Sequence, residues 1–252
     1  FTTNTLVNVI KIDNQMVSLT ETPQPIIFDS ETLKTKGNYQ FEDTFKYNLS
    51  TAHPHLNQTD GTLINLGIRM GIKSTYEFFK ILNKNRQIIT SLKVNNPSYQ
   101  HSFGITKKYL IIVDTPFKVS PLNLIFGNKP FINNFSWDKK CKSYFHIIDI
   151  KSGKKKCSIE APSFFMFHQV NAYEINENIV FDIIAFKNAN IIDSLYLKKL
   201  RSNGNEIPTG NTIVLFSICW IGMPASINGN SKDMEHPNTK VVKSLFQYFL
   251  IS

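Results

Sequence analysis

The chain has 252 residues, 42% hydrophobic and 19% charged, which excludes a disordered tail, a collagen or a disulfide scaffold. Its longest apolar run, Ile213 to Met223, is interrupted by Ser217 and Gly222 and falls short of the roughly 18 residues of a spanning helix. The net charge is +9, but only Arg69, Arg86 and Arg201 are Arg. A Lys-rich surface lacks the bidentate forks that read nucleic acid, so no nucleic-acid partner is expected; the charge reads first as a solvated basic surface, with a mild attraction to anionic membrane surface as the alternative.

Runs of Val, Ile, Phe and Tyr bounded by turn residues predict strands from one end to the other. Leu6 to Ile12 and Met16 to Thr20 flank Asp13-Asn14, and Ile26 to Phe28 precedes a turn at Asp29-Ser30-Glu31. Thr62 to Leu66 and Tyr76 to Ile81 follow, then Tyr109 to Val113. Tyr144 to Ile150 and Lys156 to Ile159 read as a hairpin in which Gly153 takes φ > 0, and Ile179 to Phe186 is another strand. Only Ser194 to Leu200 suits a short helix. Many short strands argue for a sandwich, a barrel or a propeller, and periodicity does not choose among them. The expected organisation is a β domain over residues 1–202 and a tail of different character over 203–252, in which Val241 to Leu250 suits a strand or an end helix. Cys141, Cys157 and Cys219 have no CxxC spacing, which predicts buried thiols in a reducing, cytoplasmic setting.

Six histidines carry the chemical signal: His53, His55, His101, His146, His168 and His236. No zinc-protease, zinc-finger, nucleophile-elbow or phosphate-loop motif accompanies them. His53 precedes Pro54 and is therefore held extended, which puts His55 on the same face as a competing ligand. His101 lies in Ser98-Tyr99-Gln100-His101-Ser102-Phe103-Gly104, and His168 lies in the aromatic run Phe164 to Glu174. An imidazole buried in such a run needs a polar partner or a metal. The wide separations exclude a local finger and suit ligands brought by different strands. Several neutral imidazoles suit iron, copper, zinc or nickel, and the carboxylate base that zinc hydrolysis usually wants does not accompany these motifs. His146 and His236 are expected at the surface.

Four collinear segments carry a family resemblance. They are Leu6 to Pro23 with the turn at 29–35, Thr51-Ala52-His53-Pro54-His55 with Asp60-Gly61-Thr62, Ser98 to Val119, and Phe164 to Glu174 with Ile179 to Phe186. Over residues 1–200 the chain resembles the carotenoid cleavage oxygenase family. The resemblance implies an all-β fold forming part of a seven-bladed β-propeller. It implies Fe2+ held by His53, His101 and His168 together with a fourth His not found in this stretch. Glu21 would orient a ligand from behind, and Thr20 would stand near the oxygen side as a catalytic residue. Tyr99, Phe103, Leu124 and Phe167 would contact a carotenoid or retinoid substrate.

The implied activity is cleavage of a polyene double bond by O2 to two carbonyl products. Isomerohydrolase chemistry on a retinyl ester is the second outcome, and a non-catalytic carotenoid-binding member is the rival. Family proteins are longer, so the chain reads as an internal stretch that is inactive by itself. The apolar segment Pro121 to Ile132, flanked by Lys118, Lys129, Lys139 and Lys140, is either packed or a peripheral membrane-docking patch.

Overall fold

The computed structural model describes residues 5–126, 129–176, 178–202 and the backbone of 211–215. The described strands are β1 (Asn8–Ile12), β2 (Gln15–Leu19), β3 (Ile26–Phe28), β4 (Thr35–Asn38), β5 (Leu49–Ser50), β6 (His55–Leu56), β7 (Leu63–Arg69), β8 (Ser74–Leu82) and β9 (Asn85–Val94). They continue with β10 (Gly104–Ile105), β11 (Tyr109–Asp114), β12 (Phe117–Val119), β13 (Phe135–Trp137), β14 (Ser143–Asp149), β15 (Lys155–Ala161), β16 (Phe165–Ile175), β17 (Asn178–Phe186) and β18 (Asn211–Leu215). Helices are few and short: α1 (Pro121–Phe126), α2 (Asn190–Ser194), α3 (Leu197–Ser202) and a 3-10 turn at Phe131–Asn134. The mainly β expectation holds.

The chain divides into two compact units. Unit 1 comprises Phe1–Phe103, Val119–Phe135 and Ile150–Lys154. Its first sheet is the antiparallel meander β1-β2-β3-β4. Ile12 pairs with Gln15, so Asp13 and Asn14 form a two-residue loop, and both take positive φ, 46° and 61°. These are residues that tolerate the left-handed region, and such a turn matches the twist of the strands it joins. The second sheet runs β5-β7-β8-β9, with β6 on the same side of β7 as β5. The alternation in β2 turns Val17 and Leu19 inward, where they meet Ile12, Phe79, Ile81, Tyr39, Tyr47 and Ala52 in one core. Gly67 is required here, because a Cβ on it would lie 2.6 Å from the Tyr47 ring, which stacks on Phe79.

One ion pair is built into the side of this core. Arg86 bonds Asp43 through Nε and Nη2 and also donates to the Phe45 carbonyl. Its guanidinium lies 4.3 Å from the centre of the Phe41 ring. Both side chains are at most 10% exposed. Burial pushes the Asp43 carboxyl up, but hydrogen bonds from Arg86 and Phe45 outweigh it and hold the carboxyl below its ordinary value.

Unit 2 comprises Gly104–Lys118, Ser136–Asp149 and the chain from Lys155. Its sheets are β10-β11-β14-β15 and β16-β17-β18, both antiparallel. Every residue of β11 is buried, which is why its sequence is apolar almost without alternation. Tyr109, Ile111, Val113, Phe145 and Ile147 of the first sheet pack with Met166, Ile179, Phe181 and Ile183 of the second. Each fully buried side chain of this size contributes about 1.5–3 kcal/mol.

Several sequence expectations need correction. The segment after Ser120 forms the short helix α1, opened by Pro121 at a position where its missing N–H costs nothing. The single helix expected at Ser194 to Leu200 is two short ones. Gly153 does take positive φ, 66°, in the hairpin turn between β14 and β15. Cys141 is free and partly exposed rather than buried, its Sγ–H donating to Asp138. Cys219, His236 and the segment 241–250 lie outside the described residues.

Candidate metal centre

The second sheet of unit 1 contains an interruption that presents His53. Ser50 pairs with Gly67, and His55 pairs with Ile64. Four residues, Thr51 to Pro54, therefore stand opposite only Asn65 and Leu66. The excess is expelled from the ladder as a short excursion, as at an enlarged β-bulge. Pro54 cannot donate to the ladder, which removes any tendency to close it.

His53 and His101 meet there. Their Nε2 atoms lie 3.0 Å apart, with ring centres at 4.7 Å. His101 Nδ1 lies 2.6 Å from Glu21 Oε1. A carboxylate only accepts, so Nδ1 carries a proton, and in the neutral ring Nε2 is then the nitrogen with the lone pair. The Tyr99 hydroxyl donates to the same Glu21 oxygen at 2.6 Å, and its ring runs nearly parallel to that of His101. Burial, reinforced by the negative charge of Glu21, raises the Tyr99 phenol, so it stays a donor. Glu21 thus fixes the tautomer and the heading of His101, an arrangement typical of metal-ligating histidines.

His55 is excluded from this pair. Its Nε2–H donates to the Phe103 carbonyl at 2.8 Å, and its ring stands edge-on to Phe103. Burial lowers its pKa, so it is a neutral structural histidine. Phe103 is fully buried against His55 and Phe78. Thr20 directly follows β2 and lines a void of about 20 Å3 with Thr51 and Asn65. Leu124 of α1 lines an open groove of about 770 Å3 with Pro23, Tyr47, Leu49, Met70 and Phe131. Sequence reasoning assigned Tyr99 to a substrate. Its hydrogen bond to Glu21, 78 residues away in the chain, carries no local signal.

In unit 2, His168 lies on β16 at a second irregularity. Met166 pairs with Ala185 and Gln169 with Ile183, so Phe167 and His168 together oppose Ile184. This bulge re-aims both side chains. Phe167 packs edge-on to Phe165 and Phe186, while His168 is exposed within the described residues. Gln169 is buried, donates to the Ile111 carbonyl, and lies where a Cβ on Gly104 would stand. His146 is half-buried rather than at the surface. Its Nδ1 lies 2.8 Å from Ser158 Oγ, and burial lowers its pKa.

A tautomer-fixed imidazole facing a second imidazole nitrogen is a donor set suited to a transition metal. Residues 1–218 match the family model described as retinal pigment epithelial membrane protein, RPE65. The chain belongs to this family, that of the carotenoid oxygenases. It is 31% identical over 225 residues to the beta,beta-carotene 15,15'-dioxygenase of Gallus gallus, covering 79% of this chain and 42% of that protein. It is 26% identical to the carotenoid isomerooxygenase of Galleria mellonella, covering 79% and 41%. Among solved structures, cobalt-substituted Synechocystis apocarotenoid oxygenase superposes with a TM-score of 0.66 at 20% identity, covering 82% and 45%. The chain spans less than half the length of these curated relatives. Among the described residues no helix is long and apolar enough to cross a membrane.

Proposed function

We propose that this chain is the iron-binding part of a dioxygenase that cleaves a double bond of a carotenoid or apocarotenoid with O2, giving aldehyde or ketone products. In this reading its sheets are blades of a seven-bladed propeller. His53, His101 and His168 are three ligands of Fe2+. The observation that carries it is the His53–His101 pair with Glu21 locked on the far nitrogen of His101. The cobalt-substituted structural neighbour shows that its own fold holds a transition metal. When bound, ferrous iron supplies the activation of O2.

The rest is the work of the side chains. Glu21 keeps the proton on His101 Nδ1, so Nε2 offers its lone pair. His53 would offer Nε2 in the same way, with its ring proton on Nδ1. Tyr99 holds the Glu21 carboxylate in place. Phe103 fixes His55 and keeps it out of the ligand set. Thr20, next to Glu21, is assigned to the oxygen side, and Phe167 to the substrate wall beside His168. The groove at Leu124 is of mixed lining: Pro23, Leu49, Met70 and Phe131 offer an apolar strip to a lipophilic chain, and Gln24, Asn48, Lys129 and Asn134 offer polar groups to its ends. Leu122 on the same helix is 56% exposed, which supports peripheral docking of a cytoplasmic protein on the membrane from which such a substrate is drawn.

The test is made on the full-length protein, loaded anaerobically with ferrous iron. His101→Ala and His168→Ala abolish iron retention, and His146→Ala leaves it intact. Unchanged iron content in the first two variants overturns the ligand assignment. Product analysis on a panel of carotenoids distinguishes cleavage from binding alone.

A further inference from the structure

We infer that Asn65 is a positioning residue for the metal centre, the point from which both the His53 excursion and Glu21 are held. The inference rests on the reading that His53 and His101 bind metal.

Asn65 sits on β7 directly opposite the interruption between β5 and β6. It is buried, 6% exposed, in a strand whose neighbours are apolar. All of its amide capacity is used. Oδ1 accepts from the Thr51 hydroxyl at 2.6 Å and from the Leu66 N–H at 2.8 Å. Nδ2 donates to the Thr51 carbonyl at 2.9 Å and to Ser50 Oγ at 3.1 Å. Where the ladder opens, one side chain supplies polar partners that the residues expelled from the ladder no longer find in regular pairing. The Thr51 backbone N–H still reaches the Leu66 carbonyl, and Asn8 Nδ2 takes the Ala52 carbonyl. The two residues before His53 are therefore held from three directions, and both are almost wholly buried.

The same residue reaches the other ligand. Ser50, bonded to Asn65 through its hydroxyl, donates its backbone N–H to the carbonyl of Glu21 at 3.0 Å. Glu21 in turn orients His101. Displacing Asn65 therefore shifts His53 and the carboxylate behind His101 together. Asn65 touches neither imidazole nitrogen, so its effect is on geometry rather than on the donor set.

Asn65→Asp keeps the size and the acceptor but removes the two N–H donors. Thr51→Val removes the hydroxyl bonded to Oδ1, and Thr51→Ser keeps it. The full-length protein is titrated with Co2+, reading affinity and the visible absorption of the bound ion, and the metal-free thermal midpoint is measured alongside. Asn65→Asp and Thr51→Val are expected to weaken Co2+ about 10–100-fold, the range for groups behind a ligand, and to alter the absorption. Thr51→Ser restores both. If Asn65→Asp does not fold, Thr51→Val against Thr51→Ser decides the question. A lower midpoint with wild-type affinity and absorption overturns the inference, because that is the signature of a purely structural residue. Wild-type Co2+ binding in His53→Ala and His101→Ala overturns the metal reading beneath it, a distinct result.

Discussion

The two histidine-bearing segments are held by different physics. In unit 1, His53 stands on an excursion held by amides, hydroxyls and backbone groups, beside a core flanked by the buried Arg86–Asp43 pair. In unit 2, His168 stands on the first of two register shifts in one long strand, over a core made mostly of aromatic and branched side chains. A polar framework fixes direction, because each hydrogen bond has an angle as well as a distance. An apolar core fixes position through volume and tolerates small rotations. Unit 1 is thus the part sensitive to charge and unit 2 the part sensitive to size.

The largest expected effects come from striking each unit at its own support. Asp43→Ala leaves the Arg86 guanidinium buried without its partner and should cost about 3–5 kcal/mol. Phe181→Ala opens a cavity in the unit 2 core and should cost about as much, 3–5 kcal/mol. Urea unfolding measures both, and pH separates them. The Asp43 carboxyl is held below its ordinary value in the folded state. Its contribution is complete above the unfolded carboxylate pKa of about 3.9 and is lost as pH falls through the lower folded value. The penalty of Asp43→Ala should therefore shrink in acid, whereas that of Phe181→Ala should not. Equal pH dependence would remove the contrast.

A smaller effect sharpens the comparison in unit 2. Gly104→Ala drives a Cβ to within 2.0 Å of Gln169 Oε1 and should cost about 1–3 kcal/mol through overpacking. Gln169→Ala in the same protein should recover most of this loss, because the clash is between side-chain volumes. Failure of that rescue, read from thermal midpoints, would mean that the β10 backbone rather than the Gln169 side chain limits the site. The smallest effect is in unit 1. Tyr99→Phe removes one hydrogen bond to Glu21 and should cost about 1 kcal/mol, with Co2+ still bound. Complete loss of the metal in Tyr99→Phe would show that Glu21 alone does not hold His101.

The strands legible in the sequence were those with buried, branched runs, such as Tyr109 to Val113 and Ile179 to Phe186. β9 escaped notice although it is ten residues long. Its outward positions carry Gln, Ser and Lys, and a bulge at Ile89 shifts its alternation. β4, Thr35–Asn38, has no apolar residue to signal it. At the site, the place of Glu21 behind a ligand and the preference for His53 over His55 followed from the family resemblance, and no local pattern would have produced them; that the ligand is His101 appears only in the structure. Asn65 was invisible because a lone Asn in an apolar strand announces nothing. Its meaning appears only when the partner strand is seen to skip two pairs.

That skip has a consequence for how such a centre arises and disappears. Thr51 to Pro54 exceed by two residues what an unbroken edge strand opposite β7 would need. The difference between a plain sheet and one that presents an imidazole is thus a matter of chain length as much as of residue identity. A two-residue deletion of His53 and Pro54 would remove both the ligand and the residue that cannot donate, and would let the flanking pairs join into one continuous ladder while leaving the architecture whole. Among related chains, insertions and deletions at this point should track gain and loss of metal more closely than substitutions elsewhere in the sheet.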